Sequence, residues 1–371
     1  MDLSFLHPLY EQPGPWASVY VDTSRHTEDT PHERHLTARE MARQLAEQGA
    51  DEATCRAVEN AIEELRHASD PHGRALFARD GRIVLDPPLA RVPQQGSWAQ
   101  WAPLPRVAPL LELAGEDPVA VVAYVDRKGA RFEVRSALGR QESGTVTGQD
   151  WPLHRTSSSD WSERHFQLRV EKTWEDNAGE IAEALAACQD ETRADLVILV
   201  GEDRERRAVL ERLPRRVQDL AVQAPHGAGS RLLDEDVEKA RAEHVRRRAA
   251  AELERFLAAR TPGDDGRAGA VEGVPALVEA AREHRIEELL IRPDGPDAHR
   301  EVWIGEDPHQ LAVRRTDLKI LGEQHSWPAR ADDALIRAAA ASDAQALSVT
   351  AAPAPEEEAP VGGLGAILRW K

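Results

Sequence analysis

Cysteine is almost absent from this 371-residue chain: only Cys55 and Cys188 occur. They allow one disulfide at most, and no Cys-x-x-Cys spacing suggests a metal or redox motif. Both stand among apolar residues at helical spacing, which predicts buried, inert thiols. Long apolar runs are missing too. The longest, Val119–Val125, falls far short of the roughly 20 residues that span a bilayer. No Lys or Arg precedes Arg25, so the opening residues lack the charged start of a secretory signal. A cytoplasmic protein without a membrane partner is expected. Positive charge is also scarce. Lys and Arg number 47 against 65 Asp and Glu, a net charge of −18. Such a chain does not coat DNA, and any RNA contact must come from a local patch.

Several enzymatic signatures are absent as well. The sequence has no G-x-x-x-x-G-K-[ST], no G-x-G-x-x-G, no G-x-S-x-G and no H-E-x-x-H. His32 and His35 are three apart near a helix start, but lacking further ligands they read as a solvated helix end rather than a metal site. The turn His226-Gly227-Ala228-Gly229-Ser230 is followed by Asp234–Asp236. That acidity opposes phosphate, so a plain loop is expected there. No metal and no cofactor are anticipated.

What is present is an alternation of strands and helices. A strand is expected at Ala17–Val21, then two amphipathic helices, one from Pro31 to Gly49 and one carrying Cys55, Val58, Ile62 and Leu65. Ala75–Ala78 and Arg82–Leu85 flank Asp80-Gly81, a strong hairpin signal. A proline-rich connector follows. A second hairpin is expected at Val119–Val134, then a polar loop to Trp161. From Ser162 the spacing of Phe166, Val170, Trp174, Ile181 and Leu185 predicts a long helix. Leu196–Val200 suits a central strand, and Asp234–Arg260 a second long helix. The last third predicts a helix at Val274–Glu283, strands at Glu288–Ile291 and Glu301–Ile304, and a helix capped by Asp332. A strand at Ala346–Val349, a mobile loop at Ala351–Gly363 and a final strand at Ile367–Lys371 complete it. The fold class is therefore α/β, with three α/β domains in series at 1–115, 116–260 and 261–371.

One segment carries the functional expectation. The polar stretch His154-Arg155-Thr156-Ser157-Ser158-Ser159-Asp160-Trp161 runs into Ser162-Glu163-Arg164-His165-Phe166-Gln167-Leu168-Arg169. As plain structure it is a surface loop with an Asp160 or Ser162 cap and Trp161 folded back on the helix. As a functional element it is a probe, basic at its base, where a few cations outweigh the net charge.

The hairpin, the polar loop with His154-Arg155, and the run Trp-Ser-x-Arg-x-Phe-x-x-Arg from Trp161, with Trp174 and Asn177 beyond, resemble the bacterial archaeo-eukaryotic release factor-like family. The last third agrees through Gly273-Val274, Leu289-Leu290-Ile291, Gly305 with Pro308, Ala331-Asp332 and Gly365-Ala366-Ile367-Leu368-Arg369-Trp370. The resemblance implies a central RNase H-like domain, shared with peptidyl-tRNA hydrolase relatives, and a C-terminal domain like kink-turn-binding ribosomal proteins. It also implies a subgroup, the Balon-like ribosome hibernation factors of actinobacteria, that occupy a vacant A site with elongation factor Tu.

Release factors of this type carry Gly-Gly-Gln at the loop tip. Here Ser159, Asp160 and Trp161 stand in its place. The permissive glycines are gone, Asp160 brings negative charge where a developing oxyanion needs donors, and Trp161 cannot accept a hydrogen bond. The expectation is a stress-response translation factor that binds the 70S ribosome and its rRNA at the A site, with elongation factor Tu and tRNA as further partners, and with no catalytic residue. His154, Arg155, Ser159, Asp160, Trp161, Arg164, His165 and Arg169 are its expected contacts. The alternatives are a peptidyl-tRNA hydrolase using Arg155, His165 or a serine of Ser157–Ser159, and a stress protein that binds only another protein.

Overall fold

The computed structural model describes residues 2–11, 14–24, 30–65, 72–114, 117–126, 129–136, 140–147, 162–169, 174–224, 231–263, 266–320, 322–351 and 359–370. It contains helices and strands intermixed in four sheets, the α/β class expected. By compactness the chain divides into two units, Met1–Glu116 together with Arg246–Lys371, and Asp117–Val245.

In the first unit, β1 (Trp16–Asp22), β2 (Gly73–Arg79), β3 (Arg82–Leu85) and β4 (Trp98–Ala102) form an antiparallel sheet ordered β3-β2-β1-β4. The turn at Asp80-Gly81 has positive φ at both residues, +48° and +72°, which matches the twist of a two-residue hairpin. The short helix α1 (His7–Tyr10) precedes β1, and α2 (Thr30–Glu47) and α3 (Glu52–Glu64) lie between β1 and β2. Ala17, Val19 and Val21 pack against Met41, Leu45, Val58 and Ile62 of these helices. The other face of the same strands, Trp16, Tyr20, Ala75 and Phe77, joins a core made by the C-terminal segment. That double burial explains why β1 is buried along nearly all of its length.

The C-terminal segment supplies that second layer. The strands are β11 (Ala270–Glu272), β12 (Ile286–Ile291), β16 (Gln345–Ser348) and β17 (Leu364–Leu368), ordered β11-β17-β12-β16, with only β12 and β16 parallel. Helices α9 (Val274–Arg282) and α11 (Ala331–Ala341) share the core of one face. On the other, Leu253 and Phe256 pack with Leu290, Leu347 and Ile367. These two residues belong to α8 (Arg231–Arg260); the last half of this helix completes the C-terminal sandwich, and the compact units divide within it, between Val245 and Arg246. A small sheet of β13 (Glu301–Ile304), β14 (Leu311–Ala312) and β15 (Trp327–Arg330), with α10 (Arg315–Ile320), completes the unit.

Helix α11 is buried on almost every side, and two of its buried residues are carboxylates, Asp332 and Asp333. The expected cap is not where the sequence put it: the N-cap is Arg330, and Asp332 lies inside the first turn. Both acids serve tertiary contacts. Arg106 donates to Asp332 at 2.8 Å and to Asp333 at 3.0 Å. Asp333 also accepts from the backbone N–H groups of Val107 and Ala108 at 3.0 and 3.1 Å. It thereby caps α4 (Ala108–Leu113) from across the fold. Ser18 accepts from the Arg106 N–H at 2.8 Å, and Tyr20 donates to the Arg106 carbonyl at 2.7 Å.

Burial and the adjacent Asp332 charge push Asp333 up to about 6 from an ordinary 3.8. Between those values the folded chain holds a proton that the unfolded chain has released. Stability from this group is therefore full below the lower value and is lost as pH rises through the upper one, by up to roughly 3 kcal/mol. Asp333→Asn is expected to flatten urea-measured stability across pH 4 to 6. An unchanged slope in that variant contradicts the assignment.

The second unit is built on β5 (Ala120–Asp126), β6 (Gly129–Arg135), β7 (Arg140–Thr147), β8 (Ser162–Arg169), β9 (Leu196–Val200) and β10 (Ala221–Gln223). Their order is β10-β9-β5-β6-β8-β7. Strand β6 runs antiparallel to β5 and β8, while β5, β9 and β10 are parallel. Apart from the added β7, this is the RNase H-like order that the resemblance implies. Helices α5 (Trp174–Thr192), α6 (Asp203–Leu210) and α7 (Arg215–Gln218) cover one face through Ile181, Leu185, Val209 and Val217. Leu233 and Val237, from the first half of α8, cover the other.

Two expectations fail here. Ser162–Arg169 is a strand and the helix begins only at Trp174; Arg140–Thr147, expected as loop, is also a strand. Strand β8 forms because β6 offers an unpaired edge, and the backbone groups of a buried sheet need ladder partners.

Candidate RNA-contact face

Alternate residues of β6 point to opposite faces. Ala130, Phe132 and Val134 enter the core beneath α5 and α6, which leaves Arg131, Glu133 and Arg135 on the far side. Glu133 is only 4% exposed and fully engaged. The Tyr124 hydroxyl donates to it at 2.8 Å and Arg135 Nε at 2.5 Å. Arg135 also donates to Asp234 at 2.5 Å and to the Tyr124 oxygen at 3.1 Å. The exposed Arg131 guanidinium lies 4.3 Å from the Tyr124 ring centroid, within cation–π range.

Burial, reinforced by the Glu133 hydrogen bond and charge, pushes Tyr124 up to about 12, so it stays a neutral donor. Burial opposes the Arg135 charge, but Glu133 and Asp234 outweigh it and hold that guanidinium above its ordinary range.

Strand β8 extends this face. Its register with β6 sets His165 opposite Glu133, Gln167 opposite Arg131 and Arg169 opposite Gly129, with Phe166 opposite Phe132. Directly opposed residues share a face. The register therefore sets the backbone positions of His165 and Arg169 beside those of Glu133 and Gly129. The expected helix start, which carries Arg164, His165 and Arg169, is corrected to a strand. His154, Arg155, Ser159, Asp160 and Trp161 lie outside the described residues, in the connection between Thr147 and Ser162.

Sequence reading passed over Arg131, Glu133 and Arg135, although an Arg-x-Glu-x-Arg pattern on a period of two was the available signal. It also passed over Gln149, which follows Gly148 directly after β7; that pair lies outside the described residues. Chemically, the Tyr124 hydroxyl and Arg135 are committed to Glu133 and Asp234, and the exposed Arg131 guanidinium is the cation that this face offers to a phosphate. Among the described residues no group of three His, Cys, Asp or Glu side chains is placed to hold a metal ion. Burial pushes Cys188 up to about 12 and raises Cys55, so both thiols, buried as expected, are inert as nucleophiles.

A family model described as bacterial archaeo-eukaryotic release factor family 2 matches residues 119–262. Two Mycobacterium tuberculosis proteins, Rv2629 and MT2704, both described as uncharacterized, are each 30% identical over 365 residues, covering 96% of this chain and 94% of theirs. Among solved structures, Archaeoglobus fulgidus Pelota is 16% identical with a TM-score of 0.35, covering 100% of this chain and 92% of that one. Dom34 of S. cerevisiae, a translation termination-like factor, is 11% identical with a TM-score of 0.36 and covers 80% of this chain and 79% of that one. No helix among the described residues is long and apolar enough to cross a membrane.

Proposed function

The chain belongs to the bacterial archaeo-eukaryotic release factor family, and from that premise we propose that it is a ribosome-binding translation factor that silences rather than terminates. In this reading it occupies the A site of idle 70S ribosomes as a hibernation factor in the cytoplasm, contacting rRNA, with elongation factor Tu and tRNA as neighbours. The observation that carries it is that a release-factor family member contains no Gly-Gly-Gln anywhere in its 371 residues. The scaffold is kept and the water-positioning triplet is absent.

The acidic balance makes long-range approach to rRNA unfavourable, so affinity must come from short-range contacts after docking. Trp161, the residue before β8, is the aromatic that this reading assigns to base stacking: nothing apolar flanks it within Ser157–Glu163, and base stacking is worth roughly 1–3 kcal/mol. Trp161→Ala is expected to leave the melting temperature unchanged and to weaken 70S binding about tenfold. Arg155→Ala and Arg169→Ala are each expected to lower the salt dependence of binding, since each lost phosphate contact removes about one unit of slope. A Trp161→Ala chain that melts much earlier yet binds ribosomes normally puts that residue in the core.

The direct test is sedimentation of stationary-phase lysate. Migration of the protein with 70S particles supports the reading, and its confinement to the top of the gradient in every growth state removes it.

A further inference from the structure

Within the first unit a cavity of about 390 Å³ lies where α1 and the residues after β4 meet β13 and α11. Its walls are mainly apolar: Trp16, Leu104 and Ile304 are each no more than 7% exposed, and Trp327 stands at the rim at 37%. Two polar groups converge on it. Tyr10 is on the lining, and its hydroxyl is buried with no hydrogen-bond partner among the described residues. Arg337 is 3% exposed, and its only hydrogen bonds among those residues go to the carbonyls of Gly305, at 2.9 Å, and Glu306.

A guanidinium carries five N–H donors, so three remain uncommitted. No carboxylate among the described residues forms an ion pair with it. The one acid on the lining, Glu306, is exposed. Burying a cation is costly when its hydrogen bonds go to neutral carbonyls and the Asp307 charge supports it only at a distance, so that burial still lowers its pKa; a buried phenol with no acceptor among the described residues adds a second unmet demand. One anionic acceptor placed between them answers both. The volume falls in the range of small-molecule pockets, and the aromatic walls favour a flat apolar body.

We propose that this cavity binds a small apolar organic monocarboxylate, its carboxylate accepting from Arg337 and Tyr10 and its body lying among Trp16, Leu104 and Trp327. A cation is repelled by Arg337, and a di- or triphosphate finds one arginine where it needs several. Because the walls come from residues before Glu116 and after Arg246, occupancy also fastens these two parts of the unit together and raises thermal stability by mass action.

The test is calorimetric titration of the full-length protein with 2-naphthoate and indole-3-acetate, each beside its neutral amide. At least one acid is expected to bind saturably at one site, roughly ten- to a hundredfold tighter than its amide, and to raise the melting temperature. Tyr10→Phe removes a hydroxyl that has no hydrogen-bond partner to lose among the described residues. It is expected to keep the fold and weaken the acid severalfold while sparing the amide. Leu104→Trp fills the cavity and is expected to abolish binding of both, with a cooperative thermal transition confirming that it is folded. The proposal is overturned if neither acid binds saturably at roughly millimolar concentration, if acid and amide bind alike, or if folded Leu104→Trp binds as well as wild type.

Discussion

Arg106→Met is expected to lower stability by about 3–5 kcal/mol at pH 7, measured by urea unfolding. The Arg106 side chain is 9% exposed, and its partners Asp332 and Asp333 are 0% and 5% exposed. Removing the cation leaves two neighbouring carboxylates in a low-dielectric site with, among the described residues, Arg330 as the remaining cation, 3.0 Å from Asp332 and 4.0 Å from Asp333. Methionine fills the volume, so the loss reports the stranded charge rather than a cavity. Two features separate this from general damage. The deficit is expected to shrink at pH 5, where Asp333 takes up a proton, and the double variant Arg106→Met/Asp333→Asn is expected to recover part of it through the coupling between neighbouring groups. A loss below about 1 kcal/mol, in the range of surface ion pairs, sinks the claim that this pair holds the N- and C-terminal segments together.

The second large effect is an absence of rate. On ribosomes with peptidyl-tRNA in the P site, release is expected at the spontaneous level even at saturating protein. Loss of a single oxyanion donor in an acyl-transfer site costs about a hundred- to a thousandfold. The chain has no Gly-Gly-Gln; in the proposed reading Ser159, Asp160 and Trp161 stand where release factors carry it, and Asp160 there would repel a developing negative charge. The two thiols offer no substitute nucleophile, being buried with raised pKa values. Multiple-turnover release that disappears in Gln149→Ala or His165→Ala would instead make the protein a peptidyl-tRNA hydrolase.

Much of the scaffold was legible because its signals are local. The Asp80-Gly81 turn, the apolar run Leu196–Val200 and the Val274 and Asp234 helices all appear close to their expected positions. The segment after Trp161 misled for a physical reason. Phe166, Val170 and Trp174 are four apart, a spacing that suits one helix face but is also a multiple of the strand period, and Phe166, Leu168 and Val170 alternate equally well. Only the edge that β6 presents decides between them, and that edge is distant information. The same holds for the contact between Arg106 and Asp333, which are 227 positions apart. Nothing near either residue marks it. The Tyr124–Glu133–Arg135 cluster lay between these extremes, since a glutamate flanked by arginines on alternate positions of an apolar strand announces a polar face.

A-site occupancy is measured most directly by competition on purified, vacant 70S ribosomes. Labelled tRNA is bound to the A site at increasing protein concentration, with P-site tRNA as the internal control. Displacement of A-site tRNA alone, in a one-to-one ratio with bound protein and weakened about tenfold by Trp161→Ala, is the expected result. Simultaneous retention of protein and A-site tRNA on the same particles would contradict it.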